Sequence, residues 1–412
     1  MKKLFALVLA VVLVLSVGML ASAEEHEPVT IQFLSGSDST GFTEQLIADF
    51  QAEYPWITVE INYIPGNTDD VKKSLINSLN AGDSDPDVFL TDIVWTGQFA
   101  STGWIKDLTG TYDPSIHSEG AVQSCTYDGK LFAIPVYTDI QLLVYRSDII
   151  GEDEVPATWQ ELLDVCAKYV GQNGINYGWL WQGAQKEAVV CNAVSFIGSN
   201  GGAFIRDGEI VCNSAETVEA VQFMRDMIFE YNYSPEDVLS HVPADTTPIF
   251  EQGIALFETC WPGGYAQLLS DDTSMVKDKV AITTMPVGFS GTQPASCTGG
   301  WNVAVSSYTD NEEASMLLAQ YIAGEAGQRL RTERIRTLPT ILTLYDDADL
   351  QASVPYLADV KEAVSFGAAR PASSDYASLS VVIQEHLHEA LTGVKDAQTA
   401  MDELAAAMEE YL

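Results

Sequence analysis

The chain has 412 residues, 47% of them hydrophobic, which is more than one packed core usually holds. Its 58 acidic and 20 basic side chains leave a formal charge of −38. Such a surface repels phosphate backbones and anionic bilayers, so nucleic acid and membrane surfaces are set aside as partners and the charge is read as a solubility feature.

Residues 1–23 read as a cleavable export signal. Lys2-Lys3 is basic, Leu4–Leu20 is apolar except for Ser16 and Gly18, and Ala21-Ser22-Ala23 fits the small-x-small cleavage rule. The alternative, an uncleaved anchor, would have to span a bilayer with a run of marginal length. The mature chain is expected to begin near Glu24 and to be secreted, in a periplasm or at the outer cell surface. No cysteine stands at that new end to carry a lipid.

An apolar strand at Val29–Leu34 is followed by a helix at 43–54, whose Leu46, Ile47 and Phe50 recur at helical spacing and which stops before Pro55. A strand at Ile57–Ile64 alternates Ile57, Val59, Ile61 and Tyr63. A helix at 69–80 carries the stripe Val71, Leu75, Leu79, and Asp87–Leu90 is a third strand. A β-α-β-α-β run requires a parallel sheet with right-handed crossovers, and ligands of such sheets sit at the carboxyl ends of the strands. The polar runs Ser35–Gly41, Pro65-Gly66-Asn67 and Thr91-Asp92 therefore collect at one mouth.

Tyr127-Asp128-Gly129-Lys130 is a turn of the Asp-Gly type, leading into a strand-like stretch Leu131–Tyr145 broken by Pro135. Helices are expected at 157–170, with Thr158 as N-cap, and at 186–198 and 214–231, around a loop at Gly198–Gly208. A strand Ile254–Phe257 leads to Trp261-Pro262-Gly263-Gly264-Tyr265, and the Gly/Ser/Thr-rich Val287–Gly300 to a strand Trp301–Val305. Helices over Asn311–Ala323, after Gly324, over Leu379–Thr392 and over Ala397–Leu412 complete the chain.

A carboxylate accepts hydrogen bonds from two hydroxyls, and an aromatic face covers the apolar face of a pyranose. Trp95, Tyr137, Trp261 and Trp301, each beside a turn or polar run, therefore form a candidate sugar site with Asp92 and Asp139. Asp38, in the first loop of the same mouth, joins the candidates, whereas Trp56 and Trp159 are assigned to core packing. Two carboxylates also admit a glycoside hydrolase. There is no Gly-x-Ser-x-Gly elbow, no phosphate loop and no His-Glu-x-x-His helix. His386 and His388 lie two apart on a helix and are expected on a solvated surface. No cofactor and no metal is indicated. Six cysteines permit disulfides in an exported protein, and Cys260 with Cys297, both flanking the expected mouth, is the pairing favoured here.

Several segments in order resemble the extracellular solute-binding proteins of ABC-type sugar importers, the family of maltose-binding protein. They are Pro86-Asp87-Val88 with Asp92, then Phe99-Ala100 through Gly103-Trp104 to Asp107-Leu108, then Asp128–Pro135 running to Leu143-Val144-Tyr145-Arg146. Pro156 with Thr158-Trp159 and Glu161-Leu162-Leu163, Gly299–Val305 and Leu338-Pro339-Thr340 follow. Asp92 with Trp95 and Gln98-Phe99-Ala100, and Ala369-Arg370-Pro371 with Tyr376, Ser380 and Gln384, resemble the trehalose/maltose-type disaccharide binders.

The resemblance implies an α/β, two-lobed periplasmic-binding-protein fold of type II, with a sheet flanked by helices in each lobe and a hinge between them. It places residues 24–136 plus 302–345 in the N-terminal lobe and 137–301 plus 346–412 in the C-terminal lobe. It implies ligand roles for Asp92, Tyr137, Asp139, Trp261, Trp301 and Arg370, a carbohydrate ligand, a monomer, and docking on ABC permease subunits without catalysis. An exported glycosidase, or a sugar-sensing adaptor of the same fold, are the rival readings.

Overall fold

The computed structural model describes residues 26–411 apart from 39, 67, 271, 358, 359, 372 and 374; the expected export signal and the start near Glu24 lie outside the described residues. The opening run forms with boundaries within two residues of those expected: β1 (Val29–Gly36), α1 (Phe42–Glu53), β2 (Ile57–Ile64), α2 (Thr68–Ala81) and β3 (Val88–Asp92). β1 pairs in parallel with β2 along its whole length and with β3 at Phe33 and Leu34. The stripes that announced the helices are the faces they bury: Leu46, Ile47 and Phe50 of α1, and Val71, Leu75 and Leu79 of α2.

Asp128 (φ 48°) and Gly129 (φ 72°) both take the left-handed conformation that a two-residue hairpin turn needs, joining Thr126-Tyr127 to Lys130-Leu131. The next stretch divides into β4 (Ile134–Ile140) and β5 (Leu142–Arg146), so the break falls at Gln141 and not at Pro135. Pro135 is tolerated within β4 because no ladder donor is required there. Its carbonyl accepts from Gln328 Nε2 (3.1 Å), and the neighbouring strand on that side starts pairing only at Tyr137.

α3 (Trp159–Tyr169) starts with a complete capping box, Thr158 bonding the Glu161 amide while Glu161 Oε2 accepts from the Thr158 amide (3.0 Å). β6 (Tyr177–Leu180), α4 (Glu187–Ser199), α5 (Ala215–Phe229), β7 (Ala255–Cys260), α6 (Pro262–Ser270) and β8 (Val280–Thr283) follow. Trp261-Pro262-Gly263-Gly264 thus opens a helix, Pro262 standing where its missing N–H costs nothing. β9 (Ser296–Val305) begins five residues before the expected Trp301, because its Gly-rich half also pairs with neighbours. α7 (Glu312–Ala323), α8 (Glu325–Ile335), β10 (Leu338-Pro339), β11 (Gly367-Ala368), α9 (Tyr376–Thr392) and α10 (Ala397–Met408) complete the order.

The strands form a seven-stranded sheet in the order β10-β4-β9-β3-β1-β2, with β11 paired to β9, and a four-stranded sheet in the order β8-β5-β7-β6. The chain passes from one sheet to the other at Gln141. Three apolar clusters result. The first packs α1, α2 and α7 on β1–β3 and the end of β9, and the second packs α3, α4, α5, α9 and α10 together. The third joins β5 and β7 to residues 338–363. Among the described residues no helix is long and apolar enough to cross a membrane.

All six cysteines are buried and unbonded, which corrects the expected Cys260–Cys297 pairing. Cys260 ends β7 within the third cluster, whereas Cys297 lies in β9 within the second, so nearness in the chain to the mouth did not bring their sulfurs together.

Glu258 of β7 is fully buried, with Oε1 accepting from Thr247 Oγ1 at 2.8 Å. Burial pushes its carboxyl up to about 8, and Asp139 is raised to about 8 for the same reason. Both acids bind a proton more tightly folded than unfolded, so their contribution is complete below the ordinary carboxylate range and fades as pH rises toward 8. Stability of the ligand-free protein is expected to fall between about pH 4.5 and 8, each group adding a slope of up to about 1.4 kcal/mol per pH unit. Urea denaturation of wild type and Glu258→Gln across that range checks this; an unchanged slope in the variant would refute the assignment to Glu258.

Candidate functional site

Strand register assembles the site. β9 runs antiparallel between β3 and β4, placing Trp301 opposite Asp92 on one side and Tyr137 on the other, with Gly299 opposite Asp139. Trp261 arrives from the second sheet, directly after β7. Its indole lies over Gly299, where a Cβ would come within 2.9 Å of the ring. Gly300 has φ 142°, and a Cβ there would stand 2.6 Å from the Tyr137 carbonyl oxygen. The first glycine makes room for an aromatic face and the second for a neighbouring backbone.

These elements enclose a cavity of about 300 Å³, lined by the expected Asp92, Asp139, Trp261, Trp301 and Arg370. Thr68, Asp69, Lys186, Glu187 and Thr337 line it as well. A larger cavity of about 1120 Å³ shares Gly299 and Arg370 with it. Thr138 and Thr298 line that one, and strand alternation turns them to the face opposite Asp139 and Trp301. Both tryptophans and most of the acids line the smaller space, whereas the larger one is lined by Tyr127, Tyr137, Tyr345 and Tyr411 with Asp346. The smaller volume is at the low end for small-molecule sites and suits a ligand of a few rings at most.

Arg370 fastens the site. Its Nη2 donates to Asp92 Oδ1 (2.6 Å) and its Nη1 to Asp92 Oδ2 (3.3 Å) and Glu187 Oε1 (2.8 Å). The guanidinium side chain is only 2% exposed, with Asp92 at 8% and Glu187 at 14%. Glu187 also accepts from the Tyr376 and Ser380 hydroxyls, and Gln384 Nε2 donates to Ser380 Oγ (2.8 Å). Lys72 sits 5.5 Å above Trp95 and 5.7 Å above Tyr376. Burial lowers its pKa against the opposing pull of Glu187 and Asp92.

Asp139 is the contrasting acid. Its Oδ1 is buried without a hydrogen-bond partner, and burial raises its pKa to about 8, the Arg331 charge only partly countering this. With its pKa raised to about 8 it favours the protonated form near neutral pH, a carboxyl able to donate to a hydroxyl as well as accept from one.

The other candidates lie outside the smaller cavity. Trp95 is buried beneath it, edge-on to Trp301 at 5.3 Å. Tyr137 packs against Arg331, whose guanidinium lies 4.8 Å from its ring, and lines the larger cavity. The Asp38 carboxylate turns back on its own chain, accepting from the Thr40 and Thr43 amides at 2.7 Å each. Burial works against that charge, but these bonds hold its pKa below the usual value. Trp159 is in the core as expected, stacked on Phe223 at 4.0 Å, while Trp56 is only half-buried, stacked on His26. His386 and His388 are half-buried rather than solvated: Glu403 of α10 stands beside His386, and His388 Nε2 lies 3.4 Å from the Leu239 carbonyl oxygen.

Glu187, Lys186, Asp69 and Thr337 carry no local signal in the sequence. An acid in the first turn of a helix is ordinary, and only the fold directs this one at Arg370. Tyr376, Ser380 and Gln384 entered only through the resemblance; the helix begins at Tyr376, three residues before the expected Leu379, and so puts all three on one face toward Glu187.

A family model described as bacterial extracellular solute-binding protein matches residues 45–358. A probable ABC transporter-binding protein of Deinococcus radiodurans is 31% identical over 399 residues, 93% of each chain. A galactooligosaccharide-binding protein of Bacillus subtilis is 25% identical, over 78% of this chain and 75% of its own. Among solved structures, maltose-bound MalE3 of T. maritima superposes with a TM-score of 0.87 at 30% identity, covering 92% of this chain and 99% of that one. The architecture is that of type II periplasmic binding proteins. Matched by the family model over most of its length and by a relative over 93% of it, the chain belongs to the bacterial extracellular solute-binding proteins.

Proposed function

We propose that the protein captures a sugar of the maltose or trehalose type, a di- or oligosaccharide, outside the cytoplasm and delivers it to the permease subunits of an ABC importer. The observation that carries this reading is the pair of indoles, Trp261 and Trp301, bordering a 300 Å³ cavity that also presents Asp92, Asp139 and Arg370. Indole faces cover the apolar faces of sugar rings and charged groups bond the rim hydroxyls. The galactooligosaccharide-binding and maltose-bound relatives support the same class.

The working motion is closure of two lobes, 24–136 plus 302–345 against 137–301 plus 346–412, about the crossings at β4 and β9. Each lobe carries part of the site, so a ligand stabilises the closed state by its differential affinity for it. Arg370 is suited to join the halves, since it binds Asp92 from the seven-stranded sheet and Glu187 from α4. That arrangement favours binding over hydrolysis: with both oxygens held by one buried guanidinium, Asp92 is poorly placed to act as nucleophile or proton donor.

Calorimetric titration with maltose, trehalose and a panel of mono- and oligosaccharides tests the reading. Replacing Trp301 by Ala is expected to weaken the best ligand by about 2 kcal/mol, roughly thirtyfold. Trp159→Ala, far from the cavity, should lower stability by about 3 kcal/mol or more and change affinity little. Turnover of nitrophenyl glucosides, or unchanged affinity in the Trp301 variant, would overturn the assignment.

A second expectation concerns Gly299. Its replacement by Ala places a methyl against the Trp261 ring, so affinity should fall about tenfold or more while the thermal midpoint moves little. Small-angle scattering with and without the best sugar checks closure; the radius of gyration should shrink on binding in wild type.

A further inference from the structure

Cys191 and Cys297 stand out among the buried groups that the proposed sugar chemistry does not use. Cys191 is on α4, one turn after Glu187, and lines the cavity. Cys297 is on β9, four residues before Trp301. The two belong to the same apolar cluster, and Ser195 Oγ, 3.4 Å from the Cys191 carbonyl oxygen, also meets the strand that carries Cys297. The backbone on either side is anchored: the Cys297 amide donates to Ser195 Oγ (2.8 Å), one turn further along α4, and the Cys297 carbonyl accepts from the Gln141 amide (3.0 Å). The remaining cysteines are elsewhere. Cys125 is in the first cluster and Cys260 in the third, Cys166 packs under Gly178, and Cys212 lies against the Met401 carbonyl.

We propose that Cys191 and Cys297 are joined as a disulfide when the protein folds in an oxidising extracytoplasmic space. The bond ties the first turns of α4, which carry Glu187, to the strand that carries Trp301. It rests on the packing of α4 and β9 and on the extracellular family, not on which ligand the cleft holds. The oxidant is an external disulfide, either a small molecule or a thiol–disulfide oxidoreductase. The thiolate of one cysteine attacks a sulfur of that disulfide and expels one thiolate, which takes up a proton. The second cysteine's thiolate then displaces the other external sulfur, so two cysteine thiols are oxidised and one external disulfide is reduced to two thiols. Both sulfurs are enclosed in the finished fold, so exchange takes place during folding, before the helix seats on the strand.

The experiment refolds the full chain from denaturant in a buffer of reduced and oxidised glutathione, then unfolds it in guanidinium with an alkylating agent. Four alkylated cysteines are expected, together with a reducible peptide pair joining Cys191 to Cys297. The thermal midpoint of the oxidised protein should drop by about 3 °C or more on reduction. Cys260→Ala should keep that drop, while Cys191→Ser and Cys297→Ser should lose it. Six alkylated cysteines after oxidative refolding, or a bond mapped to any other pair, would overturn the proposal, and the peptide map decides even if a single-cysteine variant does not fold.

Discussion

The site depends on one buried guanidinium. Arg370 follows the short strand β11 and reaches Asp92 at the end of β3 and Glu187 at the start of α4, three segments brought together only by the fold. Water is nearly excluded from all three side chains, so none of the charges is stable without the others. Removing one partner of such a cluster costs about 3–5 kcal/mol, because it strands the charges that remain. The bridge therefore does two jobs. It fixes Asp92 at the cavity, and it connects the cluster around the seven-stranded sheet to the cluster around α4. Tyr376, Ser380 and Gln384 extend the network along one face of α9, so Glu187 is held by hydroxyls as well as by charge.

Strand β9 supplies the other constraint. It is the one strand of the seven-stranded sheet to touch β3, β4 and β11, and its Gly299-Gly300 step sits where all the neighbours crowd. Glycine weakens a strand, and here the weakness is offset by the ladder to β4, by the Ile93 amide donating to the Gly300 carbonyl (3.3 Å), and by the indole that settles over the missing side chain. The same step places two acids in different environments. Asp92 is fully compensated by Arg370, whereas Asp139, opposite Gly299, has only the Arg331 charge nearby and keeps its proton. A cleft floor with one fixed carboxylate and one neutral carboxyl offers both acceptors and a donor, a combination matched to hydroxyl groups.

Much of the fold was legible because its signals are local. The βαβαβ opening declared itself through apolar periodicity, the Asp128-Gly129 turn through residues that tolerate left-handed backbone, and α3 through Thr158 and Glu161. The misreadings came where neighbours decide. Pro135 looked like a strand break and is not, since Gln328 and not a ladder amide occupies that edge. Val287–Gly300 looked like loop, although β4 and β11 recruit Ser296–Gly300 into β9. Trp95 and Tyr137 were reasonable ligand candidates by type and position, but their rings are packed against Trp301 and Arg331.

The sequence by itself determined the class of architecture, the mouth at which polar residues gather and the residue types available there, since periodicity, turn chemistry and the ends of strands are properties of short stretches. The tertiary structure alone decided which of those residues meet. Trp301 faces Asp92 through strand register, Glu187 reaches Arg370 because α4 points at it, and Cys297 shares a cluster with Cys191 and not with Cys260 because β9 packs on α4. Each of these pairings joins positions far apart in the chain, whose distance is set by the packing of whole helices and sheets and leaves no trace in the composition of either neighbourhood.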